Sequence, residues 1–213
     1  MTQPFEGIRI IDVTHVLAGP FAAYQLGVLG ADVMVENYRP GAFEALGLGY
    51  EAMAVLNPRL IYCSISAFGQ DGPRGRQTAY DHVIQATSGL MATTGTEAVN
   101  PIKFGSPAVD YATGTMGAFA LATALFQRER TGRGQRIDLA MLDVAMILMA
   151  SHLTGYLRNG RHPKPHGNKQ PFATNSAYET KDGLLMLGPP WANLNAASGT
   201  AKLPSTPGPP SWR

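Results

Sequence analysis

Cysteine is nearly missing from this chain: Cys63 is the one thiol in 213 residues. A single Cys excludes an internal disulfide framework and argues against a cysteine-based zinc site, and it fits a reducing, cytoplasmic setting. Charge is sparse as well, at 15% of residues, and 17 Lys and Arg against 15 Asp and Glu leave a formal net charge of +2. That balance argues against a nucleic-acid surface, which needs clustered cations on one face. Long apolar runs are missing too. Met116–Phe126 and Ile147–Ala150 are too short or too interrupted by Gly, Thr and Asp for a membrane span of about 20 residues. The opening MTQPFEGIRIID carries Glu6 and Asp12 and no apolar core, so it does not read as a secretory signal. The expectation is a soluble protein with one substantial domain or two small ones.

What is present alternates between strand and helix signals. Gly7–Asp12 is a β-branched run bounded by Gly and predicts a buried strand, followed by the turn Thr14–Pro20 and a helix over Phe21–Leu29 that Pro20 starts. Val33–Glu36 predicts the next strand, Tyr50–Leu56 a helix that stops before Pro58, and Leu60–Ser66 a third strand. Helices are predicted over Asp81–Met91 and Tyr111–Arg130, the second capped by Gly132. A strand at Gln135–Leu139 and a long apolar helix over Leu142–Arg158 follow, then an exposed connection from Arg161 to Gln170. Ala177–Leu187 predicts a hairpin across Lys181-Asp182-Gly183, since Asp-Gly is a strong turn signal. Pro189–Arg213 is rich in Pro, Ser and Gly without an apolar period, and disorder is expected there. The sum is an α/β protein with a Rossmann-like parallel sheet and flanking helices. The expected division is a large-domain portion over 1–160, a connection and further segment over 161–188, and a tail over 189–213.

Several residues could carry chemistry. Asp110 stands just before the predicted helix Tyr111–Arg130, where its carboxylate could cap the first turn or act as a nucleophile that the helix end keeps ionised; spacing does not choose between the two. The turn His15–Pro20 could present backbone N–H groups to a phosphate, although it lacks the dinucleotide and P-loop fingerprints. His15 itself reads either as a base or as a structural hydrogen bonder. Asn37-Tyr38-Arg39-Pro40-Gly41 puts a cation, an aromatic face and a turn together, which would suit an adenine nucleotide or, equally, an exposed turn. Cys63 reads as core, as do Met141, Met146 and Met149. His162 and His166 are too few for a metal site, and Ser64, Ser66 and Ser88 lack the nucleophile elbow of a serine hydrolase.

Taken together, GIRIIDVTHVLAGPFAAYQLGVLGADV, VENYRPGAFEALGLGYEAMAVLNPRLIYCSISAFGQDGP, AYDHVIQATSGLMATTG and the stretch from GSPAVD through LFQRERTGRGQRIDLAMLD resemble the class III CoA-transferase family, which includes the formyl-CoA and carnitine-CoA transferases. The resemblance runs from about Phe5 to Leu187. It implies that Asp110 is the catalytic carboxylate, that CoA contacts fall on Leu17, Ala18, Asn37, Tyr38, Arg39 and the region of Tyr80, and that the partners are an acyl-CoA and a carboxylic acid. It implies no permanently bound cofactor or metal, CoA being a substrate. A related branch, the α-methylacyl-CoA racemases, uses a His-Asp pair where this sequence reads Tyr80-Asp81. A phenol of pKa near 10 is a poor base at neutral pH, so Tyr80 favours transfer over racemisation.

The resemblance also has gaps. In the family the motif matched by LGADV precedes several tens of residues, including a basic segment that helps hold CoA; here Gly30–Val33 runs straight into Met34–Gly41. Ala45 replaces a CoA-contacting Arg of some members, and the likeness stops near Leu187. These departures lead to the expectation of an internally deleted, C-terminally truncated chain. The family's interlocked homodimer is then not expected to close, and an inactive CoA-binding remnant stands as the non-enzyme alternative.

Overall fold

The computed structural model describes residues 6–15, 33–169, 176–181 and 183–186. The expected helix at Phe21–Leu29, the residues Leu17 and Ala18, and the tail from Pro189 lie outside them. The chain divides into two compact units, Met1–Met91 with Lys103–Pro163, and Ala92–Ile102 with Lys164–Arg213.

The first unit is built on four parallel strands in the order β1-β2-β3-β4: β1 Ile10–Asp12, β2 Val33–Glu36, β3 Ile61–Ser66 and β4 Gln135–Ala140. Every pairing is parallel, with Ile10 opposite Val33, Val35 opposite Cys63 and Cys63 opposite Ile137. Parallel strands need covered crossovers, and the sequence supplies them. Between β2 and β3 lie α1, Ala42–Ala45, and α2, Tyr50–Leu56; between β3 and β4 lie α3, Asp81–Thr87, and α4, Ala108–Thr131. Strand β4 feeds directly into α5, Met141–Leu148, and then α6, Ala150–Asn159.

The two-residue period of the strands sorts their side chains between two layers. Val33, Val35, Ile61, Cys63, Ile65 and Leu139 pack with Leu121, Ala124 and Leu125 of α4 and Val144 of α5. Met34 and Tyr62 point the other way and pack with Phe43 of α1, with Tyr50 and Met53 of α2 alongside. Helices therefore cover both faces, and β2 and β3 are buried along their whole length. Burial also pushes the Cys63 thiol up to about 12, so it is an inert core group. Near Gly134 the chain runs very close to β3: the Gly134 N–H donates to the Pro58 carbonyl at 2.9 Å, and a Cβ at this glycine would fall far inside van der Waals distance of the Leu60 carbonyl oxygen.

Several expectations need correction. The first strand is shorter than Gly7–Asp12 and is not buried, with Ile11 55% exposed, because it pairs on one side alone among the described residues. Helix α3 ends at Thr87 rather than Met91, as Ser88 caps it and Gly89 turns to φ +84°. The long helix expected over Leu142–Arg158 is two helices, interrupted at Met149, whose φ −92° and ψ 6° leave the helical basin. Met141 and Met149 are buried, whereas Met146 is 36% exposed and does not fill the core. Gly132, at φ +72°, caps α4 as expected and donates to the Arg128 carbonyl at 2.8 Å.

In the second unit, β5 Ala177–Thr180 and β6 Gly183–Met186 form the expected antiparallel hairpin, with Thr180 opposite Gly183. Among the described residues, no helix is long and apolar enough to cross a membrane.

Candidate active site

In an open parallel sheet the carboxyl ends of the strands leave a crevice between diverging connections, the usual place for a ligand. Here that crevice is a cleft of about 520 Å³. Each strand contributes a residue that follows it or ends it: His15 after β1, Asn37, Tyr38 and Arg39 after β2, Ser66 and Ala67 at the end of β3, and Met141 after β4. Tyr80 and Val83, from the start of α3, and Asp110 of α4 complete the wall. Residues expected to serve the site from positions 15, 37–39, 80 and 110 thus meet in one cavity.

Asp110 is not ahead of its helix. Pro107 is the N-cap of α4, where a missing N–H costs nothing, and the helix begins at Ala108. Asp110 is therefore the third helical residue, 9% exposed. The capping role left open for it belongs to another residue. Asp81 Oδ2 accepts the N–H of Val109 at 2.8 Å and that of Asp110 at 3.1 Å, while Ala108 N donates to the Ser106 carbonyl and Tyr111 N to the Pro107 carbonyl. All four donors of the first turn are thereby satisfied, so this helix end has none left for a phosphate. The Asp110 carboxylate itself makes no hydrogen bond among the described residues. Burial, and then the charge of Asp81, push its pKa up to about 6. A carboxylate of that kind is ionised at neutral pH yet more basic, and so more nucleophilic, than an exposed one.

The other residues form the rim of the cleft. Asn37 is expected from the sequence to touch ligand, but its amide is engaged with the chain itself: Oδ1 accepts the His15 N–H at 3.0 Å and Nδ2 donates to the His15 carbonyl. This two-bond clamp ties the connection after β1 to that after β2. Glu36, buried at the end of β2, accepts the Tyr38 N–H at 2.8 Å, and burial holds its carboxyl above the usual range. The Tyr38 ring rests on Phe43 at 4.9 Å and meets the His15 ring edge-on at 5.3 Å. His15 is thus a structural partner on the rim. Tyr38 remains 42% exposed, a flat surface suited to stacking, and the Arg39 guanidinium beside it makes no ion pair among the described residues. Tyr80 is 64% exposed and lies nearly parallel to His82 at 6.3 Å. Leu17 and Ala18 fall outside the described residues.

Sequence reasoning misses the part played by Asp81 and Gln85, which are 8% and 1% exposed and hydrogen-bonded to each other. Nothing local connects Asp81 with a helix 28 residues further on. Among the described residues, no group of three or more His, Cys, Asp or Glu side chains could hold a metal ion.

The comparisons with known proteins agree with one another. The sequence profile of CoA-transferase family III matches residues 28–208. The succinyl-CoA:glutarate CoA-transferase of Mus musculus is 33% identical over 249 residues, covering 87% of this chain and 56% of that protein. The succinate–glutarate CoA-transferase of Agrobacterium fabrum is 42% identical over 160 residues, covering 74% of this chain and 40% of that protein. A CAIB/BAIF family protein from Brucella suis superposes with a TM-score of 0.83 at 27% identity, covering 93% of this chain and 70% of that one. The chain spans about half the length of the curated relatives it matches. An alignment of 249 residues also exceeds the 213 available here, so the mouse protein has residues within the matched region that this chain lacks.

Proposed function

Because the chain belongs to CoA-transferase family III, we propose that it moves CoA from an acyl-CoA thioester to a carboxylic acid, with Asp110 as the nucleophile. The observation that carries this reading is the buried carboxylate of Asp110, without a hydrogen bond among the described residues, lining the same cleft as Tyr38, Arg39 and Tyr80. In this scheme an Asp110 oxygen attacks the thioester carbonyl, the C–S bond breaks, and CoA thiolate leaves a mixed anhydride. The thiolate attacks the aspartyl carbonyl and the donor acid departs as its carboxylate, leaving an aspartyl-CoA thioester. The acceptor carboxylate repeats the first attack and frees the thiolate. The thiolate then takes the new acyl group and restores Asp110. Charge and bonds balance without a net proton transfer, so the site needs no acid–base pair. Each intermediate keeps the thioester energy provided water is excluded.

Hydroxylamine trapping tests this directly. The purified chain incubated with succinyl-CoA and then hydroxylamine is expected to carry a hydroxamate at Asp110, located by peptide mass spectrometry. An unmodified Asp110 would return the chain to the class of CoA-binding proteins without turnover.

The rim residues would hold the nucleotide end, with the adenine on the Tyr38 face and a phosphate against Arg39. Arg39→Ala is expected to raise the Kd for CoA, measured by calorimetry, about tenfold, the usual worth of one charge-assisted contact. An unchanged Kd would remove Arg39 from the binding surface.

A further inference from the structure

Asp81 is not among the residues lining the cleft that holds Asp110, and both of its carboxylate oxygens accept hydrogen bonds. Oδ2 receives the N–H groups of Val109 and Asp110, and Oδ1 receives Nε2 of Gln85. Gln85 is fixed in turn, because its Oε1 accepts the N–H of Phe104 at 2.8 Å. All three partners of Asp81 donate, so both of its oxygens accept. A cap made by Asn would hold the helix end but could not also accept from the Gln85 amide.

From this geometry we infer that Asp81 is a positioning residue for Asp110: it anchors the backbone of the first turn of α4 and sets a fixed negative charge behind the nucleophile. The inference rests on the reading of Asp110 as nucleophile and adds how that group is held and tuned. Burial raises the pKa of Asp110 most, and the like charge of Asp81 adds to it. The other titratable groups on the cleft side are His15, Tyr38, Arg39 and Tyr80. On the Asp81 side, His82 and Lys103 line a neighbouring cavity with it, and α5 carries the exposed Asp143. None of these bonds to the first turn of α4 among the described residues.

The direction of the hydrogen bonds supplies a test that a merely structural role would not pass. In Asp81→Asn the new NH2 group faces either the two backbone N–H groups or the Gln85 amide, and a flipped Gln85 would face the Phe104 N–H. The double variant D81N/Q85E restores every bond. The amide introduced at position 81 would donate to the carboxylate introduced at position 85, and that carboxylate would accept from Phe104, but the charge moves one link away from Asp110. Asp110 is titrated by carbon-13 NMR of the labelled full chain, its signal assigned with Asp110→Asn, and hydroxamate yield is measured alongside. In D81N the Asp110 midpoint is expected to fall by about half a pH unit or more, with slower trapping. In D81N/Q85E thermal stability is expected to return while the midpoint stays below that of the parent chain. Should D81N not fold, the double variant carries the comparison. A midpoint unmoved in both variants, in a parent chain that does form the hydroxamate, overturns the role of Asp81 alone. A parent chain that forms none overturns the nucleophile reading and this inference with it.

Discussion

Asp110→Asn is expected to yield a chain that transfers nothing and is nevertheless harder to unfold at neutral pH. The loss of transfer follows from removing the attacking oxygen pair, and a fall of at least about a thousandfold is the ordinary scale for a covalent nucleophile. The gain in stability follows from the raised pKa, about 6 against an ordinary 3.8. A carboxyl whose pKa is higher when folded favours folding fully below about pH 4, where both states are protonated, and that contribution is lost as the pH rises through 6. Above pH 7 the native chain keeps an anion that burial and Asp81 both disfavour, and Asn carries no such charge. The variant should therefore match the parent near pH 4 and exceed it by about 1–3 kcal/mol at pH 8, a rise of several degrees in Tm. No hydrogen bond of the Asp110 side chain is forfeited among the described residues, since the cap of α4 is made by Asp81. Urea unfolding at the two pH values checks it. Equal stability at pH 8, or lower, would mean that the carboxylate is not held against its own preference.

Gly134→Ala is expected to be strongly damaging for a single added methyl. The added Cβ would overlap the Leu60 carbonyl oxygen and sit 2.5 Å from the Arg59 carbonyl carbon, and both obstacles are backbone, which cannot turn aside like the end of a side chain. Relief requires β4 to move away from β3, breaking the bond from Gly134 N–H to the Pro58 carbonyl and loosening a pairing that runs from Ile61 opposite Gln135 to Ser66 opposite Ala140. A cost of about 3 kcal/mol or more is expected, at the upper end for overpacking. Gly132→Ala, two residues earlier, meets only the end of the Arg59 side chain at 4.0 Å; its penalty comes instead from φ +72° and is about 1 kcal/mol. Chemical denaturation of the two variants separates them. A Gly134→Ala protein with parent-like stability would mean that the two strands are not so closely joined.

Much of this architecture is readable before any coordinates, for reasons that differ by element. Val33–Glu36 and Tyr50–Leu56 end where expected because β-branched runs, Gly49 and Pro58 punctuate them locally. The parallel sheet follows from the alternation of strand and helix signals. The start of α4 escapes such a reading because Ser106 and Pro107 look like loop, although Pro is welcome at a helix entrance. The break at Met149 carries no Gly or Pro to announce it. Within the site, the resemblance brings Asp110, Tyr38, Arg39 and Tyr80 into view, and they do share one cleft. What it does not give are contacts across long separations: the Asn37 clamp on His15, 22 residues away, and the Asp81 cap 28 and 29 residues away. Such partners are chosen by topology, and a single sequence does not record topology in its local pattern.

The 24-residue length of α4 also bears on how this segment can change over time. Leu121, Ala124 and Leu125 are locked into the sheet, and Gly132 fixes the far end, so the rotational setting of Asp110 is inherited from packing several turns away. One codon gained or lost between Asp110 and Leu121 would swing the carboxylate roughly 100° about the helix axis. Drift in length is therefore intolerable along the shaft that carries Asp110, between that carboxylate and the turns that grip the sheet.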